Sequence, residues 1–567
     1  MAPTMDARES SVSFGGLDGR WVLALAALLL LLPALGSVGL SAPDEPRAAA
    51  VAREMFSMEH GRSGLALLHL NGEAYTQKPP LYYWMASAVS LLPGRVTEWS
   101  ARLPSALAGL VTLWLTFVFG RRLLGTRTAL LGAALLLTTY KFGHLARRVQ
   151  FDVVLTAFEL GALLFWWRLD RDLGTTARNR LAMHACMGLA LLTKGPVGFL
   201  IPMLVIGAYL AVEGRVRDVR RAVSPLALVV SLGPILAWLA AAVALAPPGF
   251  FGEAVGGGVL SRFFSGTSHA RPFYYFAYQF PLEFLPWALL WPTVVWAARR
   301  RIFVEGGDEE QRRTWRFLLV WIAVNLAFFS LSAGKRGLYL LPCFPAVALL
   351  CADALRALLA GRARPPWALS AVAGAMCLAL VGVAVHFGRL GEVAGAPLPP
   401  LFLGLLAAIP MLGAIAWVAR VRSGRTEHVA AVAVACVWAI EVAVFTVLNP
   451  ALDPIRSVEP VAAAAVRHLT PGEPVALLGS RAMIGGLSYY AERPVKWLDE
   501  IEEVPGYFAA GGKALVIKAG KLRKVRKVAD VVVLERLREG DRALLVVGPA
   551  DARRSVPNPA PSTKPMP

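Results

Sequence analysis

Charged residues are scarce in this chain. They make up 17% of its 567 residues, where a soluble protein carries about 25%. The shortage is sharper for acids, with 38 Asp and Glu against 58 Lys and Arg. This composition excludes an ordinary soluble protein as the whole of the chain. Cysteine is sparse as well. Cys186, Cys343, Cys351, Cys377 and Cys436 lie in or beside apolar segments, and none has CxxC spacing. They read as small core hydrophobes, not as a disulfide framework or a metal cage. The sequence also lacks a Walker loop, a GxGxxG in a βαβ setting, an HExxH and a GxSxG elbow. A cytosolic nucleotide-using enzyme is therefore not expected.

What is present is apolar. Hydrophobic residues make up 56% of the chain, and the mean hydropathy is +0.55. A membrane span needs about 20 mostly apolar residues. Trp21–Leu40, Leu103–Gly120, Gly195–Val212, Phe317–Gly334, Pro366–Val385 and Pro397–Ala419 approach or meet that length. The first of these lacks a strongly basic segment before it and is followed by further spans, so it reads as a retained helix, not a cleaved signal.

The net charge of +20 would suit nucleic acid, but its arrangement does not. The basic residues cluster in short loops between apolar segments, at Arg121–Arg127, Arg168–Arg180, Arg215–Arg221, Arg299–Arg301, Arg362–Arg364 and Arg420–Arg425. That is the positive-inside pattern, and nucleic acid is not an expected partner. With the basic loops inside, residues 1–20 form a cytoplasmic N-terminus and residues 21–450 a membrane domain of about thirteen helices. Residues 41–101 form the first extracytoplasmic loop. Residues 451–548 form a small soluble α/β domain, also outside, because short apolar runs there alternate with helical stretches. Residues 549–567, rich in Pro, Ser and Ala, read as a disordered tail. The fold class is thus a membrane all-α bundle with a C-terminal α/β domain.

The candidate chemistry gathers in the outer loops. Glu45–His60 and Leu81–Leu92 have helical periodicity with one apolar face, which suits helices lying in the membrane interface. Asp44 and Glu45 follow the first span. A carboxylate there can take a proton from a nucleophile, and Asp44 before Pro46 is equally good helix-start chemistry. Lys78 precedes Pro79, Pro80, Tyr82, Tyr83 and Trp84, and a lysine fixed at headgroup level is a natural phosphate ligand. Asp152 begins a span, where a carboxylate is costly unless paired; it either pairs with the neighbouring Arg147 and Arg148 or faces Asp44 across a cavity. Lys194 precedes a Gly-Pro helix break and reads as a snorkelling helix end. His269 and Arg271 lie in one further outer loop. Lys335, Arg336 and Tyr339 form a basic turn that runs against the positive-inside rule and favours a bound anion.

Taken in order, these motifs carry a family resemblance. The chain has DEPR, then LNGxxYxxKPPLYYW, ARLPSALAG, RR…D, LLTKGP, HxRPFYY and KRxxYLLPxFP. The series over residues 20 to 350 resembles the GT-C superfamily of polyprenyl-phosphate-sugar transferases. Within it, the bacterial lipid A aminoarabinose transferase family is the nearer likeness and the protein mannosyltransferases the more distant. The resemblance implies a bundle of about thirteen spans with interfacial helices in the first outer loop. It implies a bacterial inner-membrane enzyme with its active site and C-terminal domain on the periplasmic side.

The resemblance also implies residue roles. Asp44 would be the catalytic-site aspartate, with Asp152 as a second carboxylate and Glu45 beside it. Lys78, Arg271 and Tyr339 would bind the donor phosphate, with Arg47, Tyr82 and Arg336 close by. His269 would match a metal-associated histidine. The family's other metal ligand, a glutamate before the KPP motif, is Gln77 here. An amide is a poorer ligand for zinc-like ions than a carboxylate, so a divalent metal ion is not required by this reading. The expected partners are a polyprenyl-phosphate sugar donor, a lipid or protein acceptor, and membrane lipids. The rival readings are a lipid-linked sugar flippase, a protein O-glycosyltransferase, and a non-catalytic scaffold.

Overall fold

A backbone in lipid must satisfy its own hydrogen bonds, so the uncharged runs of this sequence become helices. The computed structural model describes residues 13–14, 17–252, 270–303, 309–360, 399, 401–405, 408–409, 411–413, 427–539 and 542–550. Among them, five helices are long and apolar enough to cross a membrane: Glu98–Leu124, Pro225–Leu245, Glu309–Leu331, Gly337–Leu359 and His428–Asp453. A bent pair, Thr126–Leu137 and Tyr140–Ala146, makes a sixth candidate if it is one span. The expected span Pro366–Val385 and much of Pro397–Ala419 lie outside the described residues, as do residues 551–567 of the expected tail. The chain is a multi-pass membrane protein.

Chain order and spatial grouping differ. One unit takes Met1–Ser37, Met55–Leu68 and Ala74–Ala451; the other takes Val38–Glu54, His69–Glu73 and Leu452–Pro567. Two pieces of the segment expected as the first outer loop therefore belong to the same unit as the C-terminal segment.

In the membrane unit, helix ends follow local rules. Glu98–Leu124 opens with a capping box between Thr97 and Ser100 and closes at Gly125, whose φ is 83°. The first helix, Gly19–Leu31, is shorter than the expected Trp21–Leu40, because Pro33 cannot continue it. Two buried arginines take up carbonyls in its last turn and just beyond its end. Arg147 donates to Leu30 O and Pro33 O, each at 2.6 Å, and Arg102 donates to Leu35 O at 2.9 Å. A separate short helix, Tyr140–Ala146, follows Thr126–Leu137. It bends by 68° from the preceding helix at Thr138 and Thr139, whose hydroxyls bond back to Ala134 O and Leu135 O, a pattern that bends helices.

Some arginines of the basic loops are paired. Arg215 meets Asp170 at 2.7 Å, Arg171 meets Glu310 at 2.6 Å, Arg316 meets Glu213 at 3.1 Å and Arg301 meets Asp353 at 3.0 Å. Each pair joins segments far apart in sequence, so these ends are fastened by charge as well as by packing.

In the second unit, five strands form one sheet in the order Val495–Leu498, Val475–Leu478, Leu515–Lys518, Arg542–Pro549, Val531–Glu539. The first three are parallel and the last two join antiparallel. Side chains alternate between faces, as a strand requires. Leu477 and Val516 pack with Val458, Val461 and Leu487 on one face. Ala476, Leu515 and Ile517 pack with Val504 and Val525 on the other. Helices cover both faces, which explains why the central strands are continuously apolar. Short apolar runs in the sequence at Pro474–Gly479, Lys513–Lys518, Asp530–Leu534 and Arg542–Val547 mark four of the strands by their pattern. Val495–Leu498 escapes it because it is a short edge strand carrying the exposed Lys496 just after Pro494.

The helix expected over Glu45–His60 spans Asp44–Phe56. It differs from expectation in its surroundings: Ala48, Ala49, Ala50, Val51 and Ala52 are all buried. Five consecutive residues cover every side of a helix, so it is enclosed by protein and does not lie half-wet in an interface. The second expected interfacial helix, Leu81–Ser90, does keep one buried stripe, at Tyr82, Ala86 and Ser90.

Arg147→Ala tests the membrane unit. It strands two carbonyls, Leu30 O and Pro33 O, and should lower stability by about 1–3 kcal/mol. Thermal unfolding of purified detergent-solubilised protein reads this as a lowered midpoint. An unchanged midpoint would show that the two contacts are dispensable.

Candidate active site

A carboxylate at the start of a span has to find a cation. Asp152 lies in the first turn of Phe151–Asp170 and is buried. Its partner is neither Arg147, which serves the first helix, nor Arg148, which lies 3.2 Å from His144 Nε2. Lys194 Nζ donates to Asp152 Oδ1 in a very short contact. Gln150 Nε2 donates to the other carboxylate oxygen at 2.9 Å.

Lys194 thus corrects the expectation of a snorkelling helix end. It is the last residue of Thr176–Lys194, and the Gly195-Pro196 break stops the helix there. Its ammonium also lies 4.4 Å from the centroid of the Tyr339 ring, within cation–π range. On the other side of Asp152, Lys78 Nζ lies 3.9 Å from the Phe151 ring centroid. Lys78, Phe151, Asp152, Lys194 and Tyr339 therefore form one continuous constellation, drawn from four segments of the chain. Its basic and aromatic groups suit a phosphate.

The turn before Tyr339 is built rigidly. Ala270 and Gly334 form an antiparallel bridge, and Arg271 N donates to Ala333 O at 3.3 Å. Lys335 is buried and donates to Arg271 O at 3.1 Å and to Ser332 O. Burial pushes its ammonium below the ordinary lysine range. Lys335 is therefore a strut for the turn and not the anion ligand its position suggested. The Arg271 side chain is exposed, with its guanidinium 6.0 Å from the Tyr275 ring. Arg336 is half-buried, and its carbonyl accepts from Tyr339 N at 3.0 Å. Gly337 is needed by close approach, since a Cβ there would lie 1.9 Å from Glu283 Oε1. Glu283 in turn pairs with Lys141 at 2.8 Å.

Tyr82 takes a different place from the one expected. It is buried, and its hydroxyl donates to Ala101 O at 3.0 Å and lies 2.7 Å from Ser105 Oγ. Its ring packs on Phe151, with centroids 4.4 Å apart. It is a packing residue beneath Lys78, not a phosphate ligand. Gln77 is exposed, and its amide oxygen accepts from Tyr75 Oη at 3.4 Å. His269 lies outside the described residues. An implied metal would have a neutral amide in place of a carboxylate at Gln77, which fits such an ion poorly.

Asp44, Glu45 and Arg47 belong to the other unit. Asp44 opens its helix and lies 3.6 Å from Arg47 Nη1, one turn on, with its side chain 36% exposed. Glu45 is buried and accepts from Ser41 N at 2.8 Å. It fixes the chain entering the helix, so it is a cap and not a catalytic group.

Sequence reasoning gave no role to one group beside the constellation. Glu159 is buried two turns after Asp152 on the same helix, and neither of its carboxylate oxygens has a hydrogen-bond partner among the described residues. Its i,i+7 spacing from Asp152 was the available signal.

The chain thus has a multi-pass helical unit with a phosphate-suited constellation at the ends of its helices, and a second, sheet-bearing unit. The comparisons with known proteins agree. Residues 77–240 match the family model described as dolichyl-phosphate-mannose-protein mannosyltransferase. The chain is 31% identical over 344 residues to undecaprenyl phosphate-alpha-4-amino-4-deoxy-L-arabinose arabinosyl transferase 1 of Pseudomonas fluorescens, covering 58% of this chain and 57% of that one. It therefore spans less than two thirds of that relative. The enzyme of the same name from Serratia proteamaculans is 28% identical, with 69% and 70% covered. Among solved structures, ArnT from Cupriavidus metallidurans bound to undecaprenyl phosphate aligns with a TM-score of 0.72 at 23% identity, over 93% of this chain and 98% of that one. The chain is thus similar over more than half of its length to bacterial aminoarabinose transferases, and it shares the fold of ArnT.

Removing Lys194 should leave Asp152 a buried, uncompensated charge, a loss of about 3–5 kcal/mol. Lys194→Met should therefore lower the thermal midpoint sharply, and adding Asp152→Asn should restore most of it. A double variant no more stable than the single would show that the two residues are not coupled.

Proposed function

We propose that this protein transfers a sugar from a polyprenyl-phosphate donor to a lipid acceptor at the outer face of the bacterial inner membrane, with lipid A or a related glycolipid as the acceptor. The observation that carries this reading is the Lys78–Phe151–Asp152–Lys194–Tyr339 constellation beside the turn holding Arg271. The likeness to aminoarabinose transferases supports the donor class. In this reading the membrane unit has about thirteen spans, and the C-terminal unit is a periplasmic α/β domain.

The chemistry is a single displacement. The acceptor oxygen forms a bond to the sugar's anomeric carbon as the bond to the donor phosphate oxygen breaks. Charge grows on the departing polyprenyl phosphate. Lys78 and Arg271 stabilise it electrostatically, and the Tyr339 hydroxyl donates to it. Lys194 holds the Tyr339 ring from its face while neutralising Asp152, so this ammonium orients the site and is not the principal phosphate ligand. Asp44 orients the acceptor and takes its proton if the nucleophile is a hydroxyl. A phosphate acceptor is already anionic and needs only positioning. Inversion at the anomeric carbon follows from the single step. No step uses a metal.

Mass spectrometry of outer-membrane lipids and glycoproteins, from cells with and without the protein, tests the reading. A mass difference of one sugar on lipid A or a related glycolipid is the expected result. A change confined to glycoproteins would move the acceptor to protein, and an unchanged inventory would overturn transfer altogether. In purified protein, Lys78→Ala should lower turnover about 100-fold, as loss of one group that stabilises the leaving charge does. Retained full turnover would remove Lys78 from the site.

A further inference from the structure

The helix that carries Asp44 is built into the C-terminal unit by side chains from both. Just before the helix, Gly39 N donates to Asp453 Oδ1 at 2.9 Å and Leu40 N donates to Tyr490 Oη at 2.6 Å. Ser41 bridges to Ser457. Within the helix, Arg53 reaches the end of Ile484–Ala491. It donates to Ser488 O at 2.8 Å, Tyr489 O at 2.9 Å and Ser488 Oγ at 3.2 Å. A guanidinium at a helix C-terminus both takes up orphan carbonyls and meets the negative end of the helix dipole.

Glu54 makes a second attachment. Its buried carboxylate accepts from Asn71 N at 2.5 Å and Gly72 N at 3.1 Å. Asn71 and Gly72 form the turn of a small hairpin, with φ of 58° and 78°, the Asn-Gly geometry of a type I′ turn. The Asn71 side chain then pairs both ways with the backbone of Val495. Nδ2 donates to Val495 O at 2.9 Å, and Val495 N donates to Oδ1 at 2.7 Å. Val495 begins the edge strand of the sheet, so an amide side chain takes the place of a neighbouring strand. A third constraint is steric. A Cβ on Gly485 would lie 2.6 Å from Arg47 Cα, so the two helices touch at backbone distance.

We infer that the C-terminal unit is a positioning device for the Asp44 helix, acting through Arg53, Asn71 and Gly485. These residues hold Asp44 and Arg47 in place without touching a substrate. The inference rests on the transferase reading for the role of Asp44, but the attachment itself does not. It gives the C-terminal unit a part in turnover and not only in recognition. A displacement of about 1 Å at a reacting group can lower a rate about 100-fold, so loosening any one attachment should act on kcat.

The test uses full-length protein in detergent or nanodiscs. The variants are Arg53→Ala, Arg53→Lys, Asn71→Ala and Gly485→Ala, with Asp44→Asn as the control. Hydrogen exchange of the 44–54 amides and steady-state transfer from a polyprenyl-phosphate sugar are measured together. In Arg53→Ala, Asn71→Ala and Gly485→Ala, exchange over 44–54 should rise and kcat should fall by about 10- to 100-fold. The donor KM should stay within about twofold, because binding of the donor phosphate is left intact. Arg53→Lys should recover part of kcat, since one ammonium replaces some of the three contacts. Variants that keep parental exchange, or keep parental kcat while Asp44→Asn loses it, would overturn the inference. Equal loss of donor binding and turnover would also overturn it, as general collapse. If Asp44→Asn itself keeps full turnover, the transferase role of Asp44 fails while the exchange result still decides the attachment. Three separate sites keep the test open if one variant does not fold.

Discussion

An ionised carboxylate inside an apolar layer is tolerated only beside a cation. Asp152 meets that condition through Lys194, and much else in the membrane unit follows from it. Lys194 can reach Asp152 only because Gly195 and Pro196 end its helix at that level. Its ammonium then lies against Tyr339, which a rigid turn delivers from 145 residues further on. Phe151, next to Asp152, offers its ring to Lys78. Around this one ion pair four distant segments meet, and they form a phosphate-suited constellation. The neighbouring Arg147 instead takes up loose carbonyls at the end of the first helix.

The second organising feature is the way the chain interleaves. Residues 38–54 and 69–73, in the segment expected as the first outer loop, group with a sheet that lies some 400 residues later in sequence. Asn71 completes an edge strand and Arg53 closes a helix end, both with ordinary backbone hydrogen-bonding needs. Each such group would otherwise be left to water. A carboxylate on that loop is thus tied to a folded scaffold and not left on a mobile segment, a property suited to a group that must act at one orientation.

Several residue roles shifted once neighbours were known. Glu45 looked like a partner of Asp44 and is a buried cap for Ser41 N. Tyr82 sits in a phosphate-binding motif, yet its hydroxyl is bound to the next helix. Lys335 looked like the exposed member of a basic turn and is buried against carbonyls. Lys194 moved the other way, from a helix end to the partner of Asp152. In each case the residue type was suggestive, and only its contacts decided between a chemical and a supporting part.

The sequence by itself determined the membrane class, many of the helices and four of the five strands of the C-terminal sheet. These depend on local composition and periodicity, which one segment carries alone. It also determined, through ordered motifs, which residue types would matter. The tertiary structure decided the pairings: Asp152 with Lys194, Asn71 with Val495, Arg53 with Ser488 and Tyr489. A pairing between positions 42 or 424 residues apart leaves no periodic trace, because either partner alone reads as a solvated or snorkelling side chain. The seating of the first helix belongs to the same group, since its loose carbonyls are taken up by Arg102 and Arg147 from distant segments.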